Sequence, residues 1–353
     1  MRLGLVGLPN VGKKTLFELL TGQALNGDRA QNGVSGLADV RDARFDSLVE
    51  MYRPKKRTPT QIEFALLADV ATQADRNREL FDALEQVDVI CYVARAFEDD
   101  TVFHAVGRVD SARDLKAFSE ELVLLDLLFI EKRMERIEKE RGKRISLQAT
   151  EQEQELLSRM QSHMEAGLTL ISFEMTEEDR RVTGGYTFMT GKPVVIIANV
   201  GEGEELSLPE DLAEELTKKQ FRVIPVSAKL EQEISQLEPD ERNAFLSELN
   251  VEEAAIDRLT RLCHEALGLI SFFTVGEDEV RAWTVRKGSL APQAGRAIHA
   301  DIGKGFIRSE VMRCEDLLDL GSERNVKEAG RLMQKGRDHV VEDGEVHHFL
   351  FKV

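Results

Sequence analysis

Basic residues are in short supply: 47 Lys and Arg stand against 64 Asp and Glu in 353 residues, a formal net charge of −17. That balance excludes non-specific duplex binding by bulk charge. Cysteine is scarce as well. Cys91, Cys263 and Cys314 lie far apart, with no CxxC pair and no histidine at ligand spacing, which excludes a disulfide framework and reads as buried thiols in a reducing compartment. No apolar run reaches the roughly 18 residues of a membrane helix. Gly7, Pro9 and Asn10 interrupt the first apolar stretch as no secretory segment would. A cytoplasmic protein without membrane contact is expected, with two or three domains at roughly 150 residues each. The acidity is uneven: residues 272–353 hold 13 Lys and Arg against 14 Asp and Glu. A nearly balanced C-terminal module can therefore still meet structured RNA or protein locally.

What the chain does have is a phosphate-binding pattern at its start. The apolar residues Leu3, Leu5 and Val6 lead into GLPNVGKKT, residues 7–15. In G-x-x-x-x-G-K-[ST], Gly7 and Gly12 let backbone N–H groups face a phosphate, and Lys13 reaches the β- and γ-phosphates. Asn10, Val11, Gly12, Lys13, Lys14 and Thr15 are the expected nucleotide contacts. The pattern breaks at position 14, where a Mg²⁺-holding hydroxyl is replaced by the ammonium of Lys14, which repels a cation. Lys14 is either a surface lysine or a stand-in for the missing cation beside a helix N-terminus. No residue is assigned as a metal ligand.

Farther on, strand-like runs alternate with helical ones: residues 2–8, 62–67, 88–94, 193–199 and 222–227. Continuous apolar strands such as VVIIANV point to an α/β class with a mostly parallel sheet covered on both faces. Residues 111–183 differ. Leu122, Leu125, Phe129, Arg133 and Ile137 form a helical stripe, Gly142 breaks it, and residues 151–167 read as a second helix, so an inserted helical hairpin is one reading and lengthened surface helices the other. After Ser271 short strands take over (FFTV, VRAWTVRKG, GFIRSEVM, HHFLFKV) with one helix signal at residues 325–333, the pattern of a small α+β domain.

The whole chain resembles the YchF/Obg-like ATPases, P-loop proteins of the translation-factor class. GLPNVGK at 7–13, IEF at 62–64, KPVVIIANVGE at 192–202, PVSAKLEQEI at 225–234 and the long block at 280–311 carry the likeness. The resemblance implies a P-loop NTPase sheet with an inserted coiled coil, followed by a β-grasp TGS domain. The corresponding bounds are 1–110 and 184–271 for the P-loop domain, 111–183 for the arm and 272–353 for the TGS domain. It also implies ATP or GTP as ligand and the ribosome or another translation component as partner.

By the same resemblance, Asn199, Val200 and Glu202 take the base-recognition position, and Ser227, Ala228 and Lys229 the loop beside the base. Glu202 stands where GTPases carry a guanine-reading Asp, so ATP or mixed binding is expected. On the Mg²⁺ side the family's DxxG aligns with Leu66 in place of the Asp and Asp69 in place of the Gly. The switch segment, residues 21–37, lacks the family's aromatic and threonine. Weak or absent hydrolysis is one outcome. An active ATPase with Asp69 or Asp39 supplying the missing carboxylate is the alternative. His104 falls where the family has a histidine proposed to assist water attack, and is the one catalytic candidate against a packing role. His299 reads as a structural turn residue.

Overall fold

The computed structural model describes residues 1–25, 33–71, 77–140, 147–248, 251 and 253–352. Its strands are β1 (Arg2–Gly7), β2 (Val34–Val40), β3 (Lys56–Thr58), β4 (Thr60–Asp69), β5 (Val89–Ala96), β6 (Val194–Val200), β7 (Arg222–Val226), β8 (Leu269–Thr274), β9 (Glu279–Arg286), β10 (Phe306–Arg313), β11 (Met333–Lys335) and β12 (Glu345–Phe351). The helices that matter below are α1 (Lys13–Thr21), α2 (Ala43–Tyr52), α3 (Arg78–Glu85), α4 (Ser111–Glu140), α5 (Leu147–Glu165), α6 (Glu177–Val182), α7 (Glu210–Lys218) and α8 (Ala228–Ser235). The chain divides into two compact units, residues 1–36 with 64–255, and residues 37–63 with 256–353. Strands β2 and β4 run through both.

Among the described residues the first sheet has the order β2-β4-β1-β5-β6-β7. β1 pairs in parallel with β5, β5 with β6, and β6 with β7. Every residue of β6, and all but the last of β5, is buried. That is why both strands read as unbroken apolar runs rather than alternating ones. The five strands expected for this sheet are present, with ends shifted by at most two residues.

The helical arm is also present. Helices α4 and α5 pack Ile130 and Ile137 against Leu156, Leu157 and Met160. Arg133, near the end of α4, reaches Glu153, near the start of α5, at 2.6 Å, so the two helices run antiparallel. The expected break at Gly142 lies outside the described residues. Helix α6 is closed by a capping box in which Thr176 accepts from the Asp179 N–H and Asp179 accepts from the Thr176 N–H.

The second unit holds a mixed sheet of order β11-β10-β12-β8-β9-β3. Its make-up differs from expectation in three ways. Residues 37–63 and 256–271, expected inside the first and second parts of the P-loop domain, belong to this unit instead. The apolar side of α2 explains the first segment: Phe45 and Leu48 share a core with Phe273, Val280, Leu317 and Val326. Strand β3 completes the attachment by pairing with β9, Lys56 opposite Glu279. Second, the helix expected over residues 325–333 spans Glu323–Glu328. Gly330 turns the chain at φ 70°, which frees Met333 to pair with Val311. Third, additional short helices occupy Ala291–Ile298, Ala300–Lys304 and Cys314–Leu320, the first opened by a proline at its start.

Candidate functional site

The loop between β1 and α1 is shaped by two glycines. A Cβ on Gly7 would stand 2.3 Å from the Val93 carbonyl oxygen of β5, so no side chain fits there. Gly12 caps α1 in the left-handed region at φ 97°, and a Cβ on it would meet Asn199 Nδ2 at 2.3 Å. Asn10 takes a left-handed conformation too, φ 61°, which asparagine tolerates, and its Nδ2 donates to the Phe103 carbonyl at 3.2 Å. Residues of this loop and of the first turn of α1 line one concavity, and a helix N-terminus there suits an anion.

That concavity has a volume of about 380 Å³. Asn10, Gly12, Lys13, Lys14 and Thr15 line it from the loop side, facing Leu66, Leu67 and Asp69 of β4 and Phe97 and Val102. Lys13 is 5 % exposed. Its Nζ donates to the carbonyls of Gly7 at 2.8 Å and Leu8 at 2.6 Å, and pairs with Asp69 Oδ1 at 2.7 Å. Burial pushes the Lys13 ammonium below the usual lysine range, while the Asp69 carboxylate pulls it back up. Lys14 is exposed at the rim.

Asn199, at the end of β6, joins two loops. Its Nδ2 donates to the Val11 carbonyl at 2.9 Å, and its Oδ1 accepts from the Ala228 N–H at 3.0 Å. Ser227 caps α8 by accepting from the Leu230 N–H. Asn199, Val11 and Ala228 are therefore brought together in the interior, while Val200 is buried in β6 and Glu202 and Lys229 are exposed. The turn after Gly201 is held by Glu204, which accepts from the Gly201 N–H.

Oxygen donors for a divalent cation are few. Leu66 is 2 % exposed and offers none. Among the described lining residues the only carboxylate is that of Asp69, and its Oδ1 is paired with Lys13. Asp39, the other substitute considered, is not part of the lining, and its carboxylate accepts from Gln61 Nε2 at 2.8 Å. The residues present do not fit a Mg²⁺ site of the usual P-loop kind. His104 is 4 % exposed and outside the lining. Its Nδ1 accepts from the Val106 N–H, and its Nε2 lies 3.2 Å from Asp114 Oδ2. The ring thus lies beside the first turn of α4.

Sequence reading missed Arg95. This cation, 1 % exposed, stacks on Phe97 and donates to the carbonyls of Phe97, Val102 and Asp99, so it moulds the loop that walls the cavity. Its signal was an arginine inside the apolar strand VICYVARA.

Residues 269–352 match the family described as "YchF-GTPase_C: Protein of unknown function (DUF933)". The chain is 39 % identical to the ribosome-binding ATPase YchF of Bacillus subtilis over 99 % of each chain. It is 35 % identical to the protein of the same name from Haemophilus ducreyi, over 100 % of this chain and 99 % of that one. The structure of the Schizosaccharomyces pombe YchF GTPase superposes with a TM-score of 0.86 at 29 % identity, covering 99 % of this chain and 97 % of that one.

Proposed function

Because the chain belongs to the YchF family, we propose that it is a cytoplasmic, translation-associated regulator that binds ATP or GTP at residues 10–15. Asn199, Val200, Glu202 and the Ser227–Lys229 loop sit on the base side of this reading. The triphosphate meets the N–H groups at the start of α1 and the two cations Lys13 and Lys14. The ribosome is the proposed partner, since relatives matched end to end carry ribosome-binding in their names. The arm of α4 and α5 and the C-terminal unit, read as a TGS domain, are the proposed contact elements.

The observation that carries the reading is the state of the phosphate end: a loop with both glycines and Lys13 in place but Lys14 for the hydroxyl, facing Leu66 where a metal-side carboxylate is needed. Binding without efficient hydrolysis follows. Lys13 would orient the terminal phosphates, but Asp69 is the one carboxylate among the described lining residues that could hold a cation, whose charge would supply several kcal/mol to the transition state. A second reading, an active ATPase with a relocated ligand, is supported by Asp69 being at the wall and half exposed at 52 %. Competition of ATP and GTP for a labelled analogue, with co-sedimentation on ribosomes, tests the proposal. ATP should bind at least comparably to GTP, and a GTP preference above about tenfold, ~1.4 kcal/mol, would contradict it.

A further inference from the structure

A second cluster of ligand-forming side chains lies in the C-terminal unit, apart from the loop of residues 7–15 in both sequence and chemistry. Glu345 and His347 alternate on β12, two positions apart, and so face the same side of the strand. His339 comes from the segment just before it. His339 Nε2 lies 3.1 and 3.0 Å from the two oxygens of Glu345, and His347 Nε2 lies 3.0 Å from Glu345 Oε2. The ligand atoms of all three are within 4.8 Å of one another. Their side chains are 10 %, 4 % and 0 % exposed in the order His339, Glu345, His347.

We propose that His339, Glu345 and His347 bind a divalent transition-metal ion of the zinc type, each offering one atom. Two imidazole nitrogens and a carboxylate oxygen are a donor set that zinc accepts, with a fourth position left for water on the His339 side, the least buried of the three. Bonds of about 2.0 to 2.1 Å in a tetrahedron place ligand atoms roughly 3.3 Å apart. The two His–Glu distances need to open by a few tenths of an ångström, and the two imidazole nitrogens, within 4.8 Å of each other, need to close onto the ion.

The surroundings are built to hold it. Both flanks of the His339 segment are pinned: the Ala291 N–H donates to the His339 carbonyl, and the Val341 N–H to the Ser289 carbonyl. Glu345 Oε2 also accepts from the Glu342 N–H at 3.0 Å, which fixes the carboxylate. His347 is stacked on Phe349 and meets the edge of Phe272. Its second nitrogen, Nδ1, faces Ser309 Oγ at 3.1 Å, and the same hydroxyl lies 3.2 Å from the His348 carbonyl. Without metal, Nε2–H donates to Glu345 and the serine donates to Nδ1. With metal, the proton moves to Nδ1 and donates to Ser309 Oγ, whose own proton turns to the His348 carbonyl. Both tautomers are satisfied, which is the outer-shell support that metal-binding histidines require.

The test uses the full chain without a histidine tag, titrated with Zn²⁺ and separately with Co²⁺. One equivalent should bind and persist through desalting. Bound Co²⁺ should show the intense visible bands of a four-coordinate site. His339→Gln, on the segment before the strand, should keep the fold by circular dichroism and weaken zinc binding at least tenfold. Ser309→Ala should weaken it by a smaller factor while leaving all three ligands in place. A folded parent that takes up no stoichiometric metal overturns the proposal, and so does unchanged affinity in His339→Gln. ATP titration of the same samples reads the nucleotide site separately.

Discussion

Lys13 and Asp69 form an ion pair at the wall of the cavity beside residues 10–15, 2.7 Å from Nζ to Oδ1, so the buried cation already has an anion at hand. An incoming phosphate must compete with that carboxylate. Asp69 is half exposed, which limits the strength of the pair through solvent screening.

Replacing the carboxylate should therefore favour nucleotide. Asp69→Asn is expected to raise ATP affinity by about fivefold, about 1 kcal/mol. Calorimetric titration of the variant and the parent checks it, and equal or weaker binding by the variant would show that Asp69 does not compete.

Asn199 is the tie between the phosphate loop and the loop beside the base. Asn199→Ala removes two buried hydrogen bonds and leaves the Val11 carbonyl and the Ala228 N–H without that partner. A loss of about 2 kcal/mol in unfolding free energy is expected, with weaker ATP binding alongside. Urea unfolding monitored by circular dichroism measures the first effect, and a change below about 0.5 kcal/mol would remove Asn199 from this structural role.

The parts of this arrangement that were legible in sequence are those written in contiguous residues. The pattern GLPNVGKKT announced the loop, and VICYVARA and VVIIANV announced two central strands because burial on both faces demands unbroken apolar runs. What stayed hidden depends on residues far apart in the chain. The Lys13–Asp69 pair joins a loop to the end of β4, and the attachment of residues 37–63 to the C-terminal unit depends on which partner the apolar side of α2 finds. Strand β2 was missed because VSGLADV alternates weakly and contains glycine, which reads as loop. His104 was a catalytic candidate against a packing role, and its closeness to Asp114, ten residues on, is legible only in coordinates. Of His339, Glu345 and His347 only His347 lay on an inferred strand, HHFLFKV, and Glu345 fell two residues before it.

The helical arm should carry an acid-sensitive element. Hydrogen bonds from the Thr176 backbone N–H, helped by Arg159, hold the Asp179 carboxyl below the usual aspartate range. A depressed carboxylate adds stability that is fully present above its unfolded value, about 3.9, and is lost as pH falls through the lower folded value. Asp179→Asn should flatten that acid limb in thermal melts between about pH 5 and 2. Thr176→Ala should lower stability by about 1 kcal/mol at neutral pH. An unchanged acid limb in Asp179→Asn would assign the sensitivity elsewhere.

Hydrolysis should be slow. With Lys14 in place of a hydroxyl and Leu66 in the metal-side strand, single-turnover ATP hydrolysis is expected at no more than the order of 10⁻⁴ per second. Quenched reactions analysed for product give the rate. Turnover far above this that disappears with EDTA would establish a relocated Mg²⁺ ligand, and Asp69→Asn would then identify it.

In the proposed reading Lys13 and Lys14 together would neutralise much of the triphosphate charge beside a helix N-terminus, so nucleotide should bind without a cation. Lys14→Ser should weaken metal-free binding and introduce a dependence on Mg²⁺. The decisive measurement is calorimetric titration of the parent protein with ATP, once in Mg²⁺ and once in EDTA. Affinities within about twofold of each other are predicted. A loss of tenfold or more on chelation, about 1.4 kcal/mol, would mean that a metal ion rather than Lys14 completes the site.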